Sequence, residues 1–162
     1  VSFVNENYGL NLCHENEKDI YGDVLDRILK IKENVKGLKF VYDPANFIQS
    51  NDDIQKCLDT LVNNVHYYHI KDVDGDDNVV PAGCGNGLIK EMLSKINQDT
   101  VLTIEPHLSL FIGYASIDKT VLKTKFEFKN NVESFDYAVK SLKELLISTN
   151  YKEVEDGFVK NE

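Results

Sequence analysis

The feature that most constrains this chain is an alternation. Four short apolar runs with strand character are separated by amphipathic runs of helical period. The strand-like runs are "GLNLCHE" (9–15), "LKFVYD" (38–43), "VHYYHIKD" (65–72) and "TVLTIEPH" (100–107). The first helical run, "YGDVLDRILKIKENV" (21–35), places Val24, Leu25, Ile28, Leu29 and Ile31 on one face, with Asp23 as the expected N-cap and Gly37 as the stop. The second, "NDDIQKCLDTLVNNV" (51–65), opens at Asn51 or Asp52 and turns Ile54, Cys57, Leu58 and Leu61 inward. "NGLIKEMLSKI" (86–96) is the third. After a long irregular stretch comes "NVESFDYAVKSLKELLI" (131–147), striped with Phe135, Ala138, Val139, Leu142, Leu145 and Leu146. Nearly continuous apolar strands alternating with helices imply a parallel sheet covered by helices.

The unit spacing of roughly 30 residues suits a (β/α)₈ barrel, which typically needs about 250 residues. Only four βα units and a C-terminal helix are present, and an open doubly wound sheet fits the length equally well. We expect one domain over residues 1–150 and a polar, fraying tail over 151–162. The chain opens on "VSFVNENYGLN" without an initiator Met, as though cut inside an element.

Each strand run ends in a group able to bind a metal: Glu15, Asp43, His69 and Glu105. In parallel α/β architectures the carboxyl ends of the strands share one face, where sites are built. Each residue has an ordinary alternative. Asp43 and Glu105 both precede a proline, where an Asp commonly opens a turn and a Glu can simply face water. A single histidine is more often structural than a ligand. Four strand ends carrying such groups together point to one site. Three carboxylates and an imidazole favour Mn²⁺ or Mg²⁺, with Co²⁺ or Zn²⁺ admissible. His69 is preferred over His66, which lies on the opposite face of the same strand. Glu15 is preferred over Glu17, which already lies in the loop.

Charge narrows the partners. The 162 residues carry a net charge of −9, which repels phosphate backbones and disfavours nucleic-acid and anionic-membrane binding. No apolar run approaches the roughly 20 residues of a membrane helix. The three cysteines, Cys13, Cys57 and Cys84, are widely spaced and fit free thiols in a reducing cytoplasm. "DVDGDD" (72–77) lacks the later Glu of a calcium loop and reads as a solvated turn. "PAGCGNG" (81–87) follows a long loop rather than a strand, so it is no phosphate cradle, and Cys84 there has no partner that would make it a nucleophile.

The text "HENEKDIYGD" (14–23), "DPANF" (43–47), "HIKD" (69–72), "PAGCGNG" (81–87) and "LTIEPHL" (102–108) resembles, in order and spacing, the sugar phosphate isomerase/epimerase family of xylose-isomerase-like TIM barrels. The resemblance spans roughly residues 8–110. It implies a metal held by Glu15, Asp43, His69 and Glu105 from the barrel's last four strands, with Glu15 and Glu105 also exchanging the substrate proton. It implies that Asn46 touches the substrate or the metal's ligands, that Lys71 meets a substrate hydroxyl or phosphate unless it is a solvated loop lysine, and that Gly83 and Gly85 allow a tight approach near the site. The ligand implied is a small sugar or sugar phosphate. Such a barrel has eight strands, so the chain reads as the C-terminal half of one, and its partner is then the missing half or a second copy. Isolated, it is expected to dimerise, aggregate or stay loose. A dehydratase of cyclic polyols is a close variant. Two other readings stand beside these. An AP-endonuclease-like nuclease would need more histidines and a basic face, and the third reading is a non-catalytic, truncated half-barrel.

Overall fold

The computed structural model describes residues 1–108 and 126–161. Its centre is a four-stranded parallel sheet of β1 (Cys13–Glu15), β2 (Lys39–Tyr42), β3 (Tyr67–Ile70) and β6 (Leu102–Ile104), hydrogen-bonded in that order. His14 lies opposite Phe40, Tyr42 opposite Tyr68, and Ile70 opposite Ile104. Because side chains alternate along a strand, these registers sort the sheet into two faces. Phe40, Tyr42, Tyr68 and Ile70 point to one side and are buried beneath α2 (Leu25–Asn34), α4 (Ile54–Leu61) and α5 (Ile89–Lys95). Leu25, Ile28, Leu58, Met92 and Leu93 supply the helical half of that core. Val41, Tyr67, His69 and Thr103 point to the other side, where Lys39 and Thr103 are exposed.

Several elements differ from expectation. Ser2–Tyr8 form a helix, α1, and the first strand begins only at Cys13. Helix α2 starts at Leu25, and its first amide is received by Asp52 Oδ2 from the next unit, while Asp23 pairs with Arg27 instead. Asp53, not Asn51 or Asp52, caps α4 by accepting from the amides of Gln55 and Lys56. An extra helix, α3 (Pro44–Gln49), follows β2: Asp43 caps it, and Pro44 occupies its first turn, where the missing N–H costs nothing. The acidic run at 72–77 is a turn joining β4 (Asp72–Val73) to β5 (Val79–Val80), closed by Asp74 Oδ1 accepting from the amides of Asp76 and Asn78.

The last long helix, α6 (Asn131–Ser148), is capped by Asn130 and buries Ala138, Leu142 and Leu146. Phe135, expected inward, is 48% exposed. Residues 151–160 do not fray. They form an antiparallel hairpin, β7 (Tyr151–Val154) and β8 (Gly157–Lys160), with Tyr151 and Phe158 packed against the core. The Tyr151 hydroxyl donates to Leu93 O, and Lys160 Nζ reaches the carbonyls of Ser94 and Ile96, so the hairpin satisfies orphan groups at the end of α5. Among the described residues no helix is long and apolar enough to cross a membrane.

Candidate active site

The carboxyl ends of the four parallel strands deliver their terminal groups to one place. Ligand atoms of Glu15, Asp43, His69 and Glu105 all lie within 4.8 Å of one another. Sheet register explains this: Glu15, His69 and Glu105 share the face opposite the helices, and Asp43 continues it one residue past β2. His69 sits centrally, its Nδ1 lying 3.0 Å from both Glu15 Oε1 and Glu105 Oε2. Glu17 is outside the cluster. His66 is exposed just before β3, with its backbone amide bonded to Phe40 O, and takes no part.

Asp43 is fully buried, and its Oδ2 lies 2.9 Å from Lys71 Nζ. Lys71 is itself only 5% exposed and also lies 3.6 Å from Glu105 Oε2, so it is no solvated loop lysine. Apart from such ion contacts, Asp43 Oδ2 and Glu105 Oε2 receive no hydrogen bond among the described residues. Asn46 is buried too: its Nδ2 donates to Glu15 Oε1 at 3.2 Å, while its Oδ1 has no donor.

The titrations follow from this crowding. Burial pushes the Asp43 carboxyl up to about 6, against the opposing pull of Lys71. Burial would also lower Lys71, but Asp43 and Glu105 outweigh it and hold the ammonium charged. The same contest raises His69 to about 10, because Glu105 and Glu15 overcome the cost of burying its charge. Glu105 ends well below the ordinary carboxylate range: burial acts upward, and His107, His69 and Lys71 together act more strongly downward. His107 Nε2 sits 3.2 Å from Glu105 Oε1.

These observations test whether a divalent metal fits. The donor set is three carboxylates and one imidazole converging within 4.8 Å, and the Lys71 ammonium between Asp43 and Glu105 leaves the cluster with negative charge for a cation to balance. The residues fit such an ion.

Two residues that support the site escaped sequence reasoning. Asn16 is buried, and its side-chain amide clamps the backbone of Asp43 at both ends, donating to Asp43 O and accepting from Asp43 N, each at 2.8 Å. Asp72 is equally buried and accepts from the amides of Val73, Gly83, Gly85 and Gly87 at 2.9–3.0 Å. That grip explains the glycines: a Cβ on Gly85 would stand 2.3 Å from Val73 O and 2.5 Å from Asp72 Oδ1. Cys84, at the tip of the loop, is exposed.

No family model matches the sequence, and no curated protein does. Solved structures do. The IolI protein with a zinc atom bound superposes at a TM-score of 0.64 and 16% identity, over 91% of this chain and 53% of that one. The probable 3-DHS dehydratase AsbF from Bacillus anthracis, involved in petrobactin synthesis, gives 0.62 and 14%, over 90% and 52%. D-psicose 3-epimerase, solved in the presence of D-fructose, gives 0.61 and 16%, over 90% and 52%. The chain thus spans about half the length of each. Its parallel sheet, helix-covered on one face and matched by half of each of these proteins, has the fold of half a (β/α)₈ barrel.

Proposed function

We propose that this chain carries the metal and proton-transfer site of a sugar or sugar phosphate isomerase or epimerase. The observation behind the reading is the convergence of Glu15, Asp43, His69 and Glu105 at the carboxyl ends of four successive parallel strands. The zinc bound to IolI and the sugar chemistry in the name of D-psicose 3-epimerase support it by analogy of fold. A divalent ion held by these four residues would polarise a substrate carbonyl and its neighbouring hydroxyl, acidifying the C–H between them.

The chain's own groups supply the rest. Glu15 and Glu105 come from the two outer strands and approach His69 from either side, so one carboxylate can take a proton while the other returns one. Asn46 Oδ1 is a buried acceptor without a donor and suits a substrate hydroxyl. A dehydratase would use the same proton removal followed by loss of a β-hydroxyl, the variant suggested by the name of AsbF.

The test uses the protein at its natural length, stripped of metal, reconstituted with Mn²⁺ and given ketoses and ketose phosphates in D₂O. Turnover should require the ion and place solvent deuterium on the carbon beside the carbonyl. Turnover without deuterium would replace proton exchange by an intramolecular hydride shift. Failure to retain any divalent ion would end the reading.

A further inference from the structure

Lys71 is the charge in this site that the proton-transfer reading leaves unused. It stands two residues past His69, on the same face of the chain, yet it is 5% exposed and its ammonium is directed at Asp43 Oδ2 (2.9 Å) and Glu105 Oε2 (3.6 Å). A lysine so enclosed by ligand carboxylates has little freedom left to meet a substrate. Burying an ammonium is costly unless it is paired, and here both partners are themselves candidate metal ligands. Its pairing therefore bears on the ion.

We infer that Lys71 sets the charge of the metal site, selecting a divalent over a trivalent ion, and positions Asp43 by occupying its second carboxylate oxygen. The inference rests on the metal reading above. Three carboxylates bring three negative charges into the cluster, and the ammonium cancels one. A divalent ion then brings the four groups and itself to neutrality, whereas a trivalent ion leaves a positive excess in a poorly solvated place. Glu17, outside the cluster, exerts only the weakest of the pulls on Lys71. His107 contacts Oε1 of Glu105, the oxygen that Lys71 does not approach. The repulsion between Lys71 and the ion grows with the ion's charge, so its removal helps a trivalent ion more than a divalent one. With Lys71 on Oδ2, Asp43 also offers the ion a single oxygen.

The experiment is a pair of binding titrations on the metal-free protein at its natural length, with Mn²⁺ alone and with Tb³⁺ alone, read by calorimetry and by terbium luminescence. In Lys71→Met the ratio of Tb³⁺ to Mn²⁺ affinity should rise at least about tenfold over wild type. Lys71→Arg keeps the charge and should keep the wild-type ratio. Lys71→Gln can still donate a hydrogen bond to Asp43 and should behave as Lys71→Met, which preserves the test should the methionine variant not fold. If Lys71 is only a structural prop, both affinities fall together and the ratio stays put, and the inference is overturned. If wild type binds Mn²⁺ but the arginine variant shifts the ratio as far as methionine does, charge is not the cause and it is likewise overturned. If wild type binds neither ion, the metal reading itself fails, a result distinguishable from the other two.

Discussion

The two faces of the central sheet are built from the same strands and differ in almost every other respect. On the helix side, alternate residues such as Phe40, Tyr42, Tyr68 and Ile70 are buried among aliphatic and aromatic neighbours. The polar atom that Tyr68 brings there is satisfied by Val62 O. On the other side, one residue along, lie Lys39, Tyr67 and Thr103, partly or wholly open, and then at the carboxyl ends a knot of charge: Glu15, Asp43, His69, Lys71 and Glu105. The helix side is where this chain gains its stability, because apolar area leaves water there. The charged end is costly to build, since Asp43 and Lys71 are held away from water and must be compensated by partners inside the protein. Such groups persist where they serve chemistry. The pairing of a conventional core with a costly cluster a few ångströms away across one sheet is the physical argument for a site.

That contrast predicts different losses on the two faces. Glu105→Gln keeps size and an oxygen facing the cluster but removes the carboxylate that can carry a proton. Turnover of the folded protein should fall by a factor of about 10² to 10⁴, the usual contribution of a positioned acid or base. Asp43→Asn should act through metal affinity instead, so excess Mn²⁺ restores much of its rate. Full rescue of Glu105→Gln by added metal would reduce Glu105 to a ligand and remove one of the two proton carriers. On the helix side, Leu58→Ala should act through stability. Leu58 is fully buried in α4, and its truncation should cost about 2–5 kcal/mol of stability while the folded protein keeps its metal affinity. A change in affinity as large as the change in stability would mean that the two faces are not independent.

The two faces also differ in how far the sequence reveals them. The helix side was readable because its signal is periodic, and Ile28, Leu58 and Leu61 fall where the spacing puts them. The strand-end cluster was readable for a different reason. Parallel topology forces successive strand ends to one face, so Glu15, Asp43, His69 and Glu105 could be expected to meet once the strands were assigned. What stayed hidden were side chains whose partners are distant backbone groups. Asn16 grips Asp43 across 27 residues, Asp72 holds amides 11 to 15 residues on, and Lys160 reaches back 64 and 66 residues to the end of α5. Neither polarity nor period marks such residues. Asp72 looked like one more acid in a solvated turn, and Lys160 like part of a frayed tail. Helix α3 was concealed by an ambiguity: an Asp followed by Pro begins a turn and a helix equally well, and only packing decides, here by burying Ala45 and Phe47.

The smallest effect comes from protons in the charged cluster. In the metal-free site His69 titrates near 10 and is therefore protonated throughout the neutral range. A metal ion needs the lone pair that this proton occupies, so between about pH 7 and 9 each ion bound should release close to one proton. Affinity should then rise by about tenfold per pH unit, equivalent to about 1.4 kcal/mol. Below the Asp43 value of about 6 a second proton must leave, and the dependence should steepen toward two. Above about 10 it should flatten, because His69 has already lost its proton. The sign is fixed because proton and ion compete for the same ligand atoms, so lowering the pH always works against the metal; the raised values place the window in which it does so. Calorimetric titration of Mn²⁺ in two buffers of different ionisation enthalpy counts the protons directly. A count near zero at pH 8 would mean that His69 is neutral before the metal arrives, its 3.0 Å contacts with Glu15 and Glu105 being made by the Nδ1–H of the neutral ring.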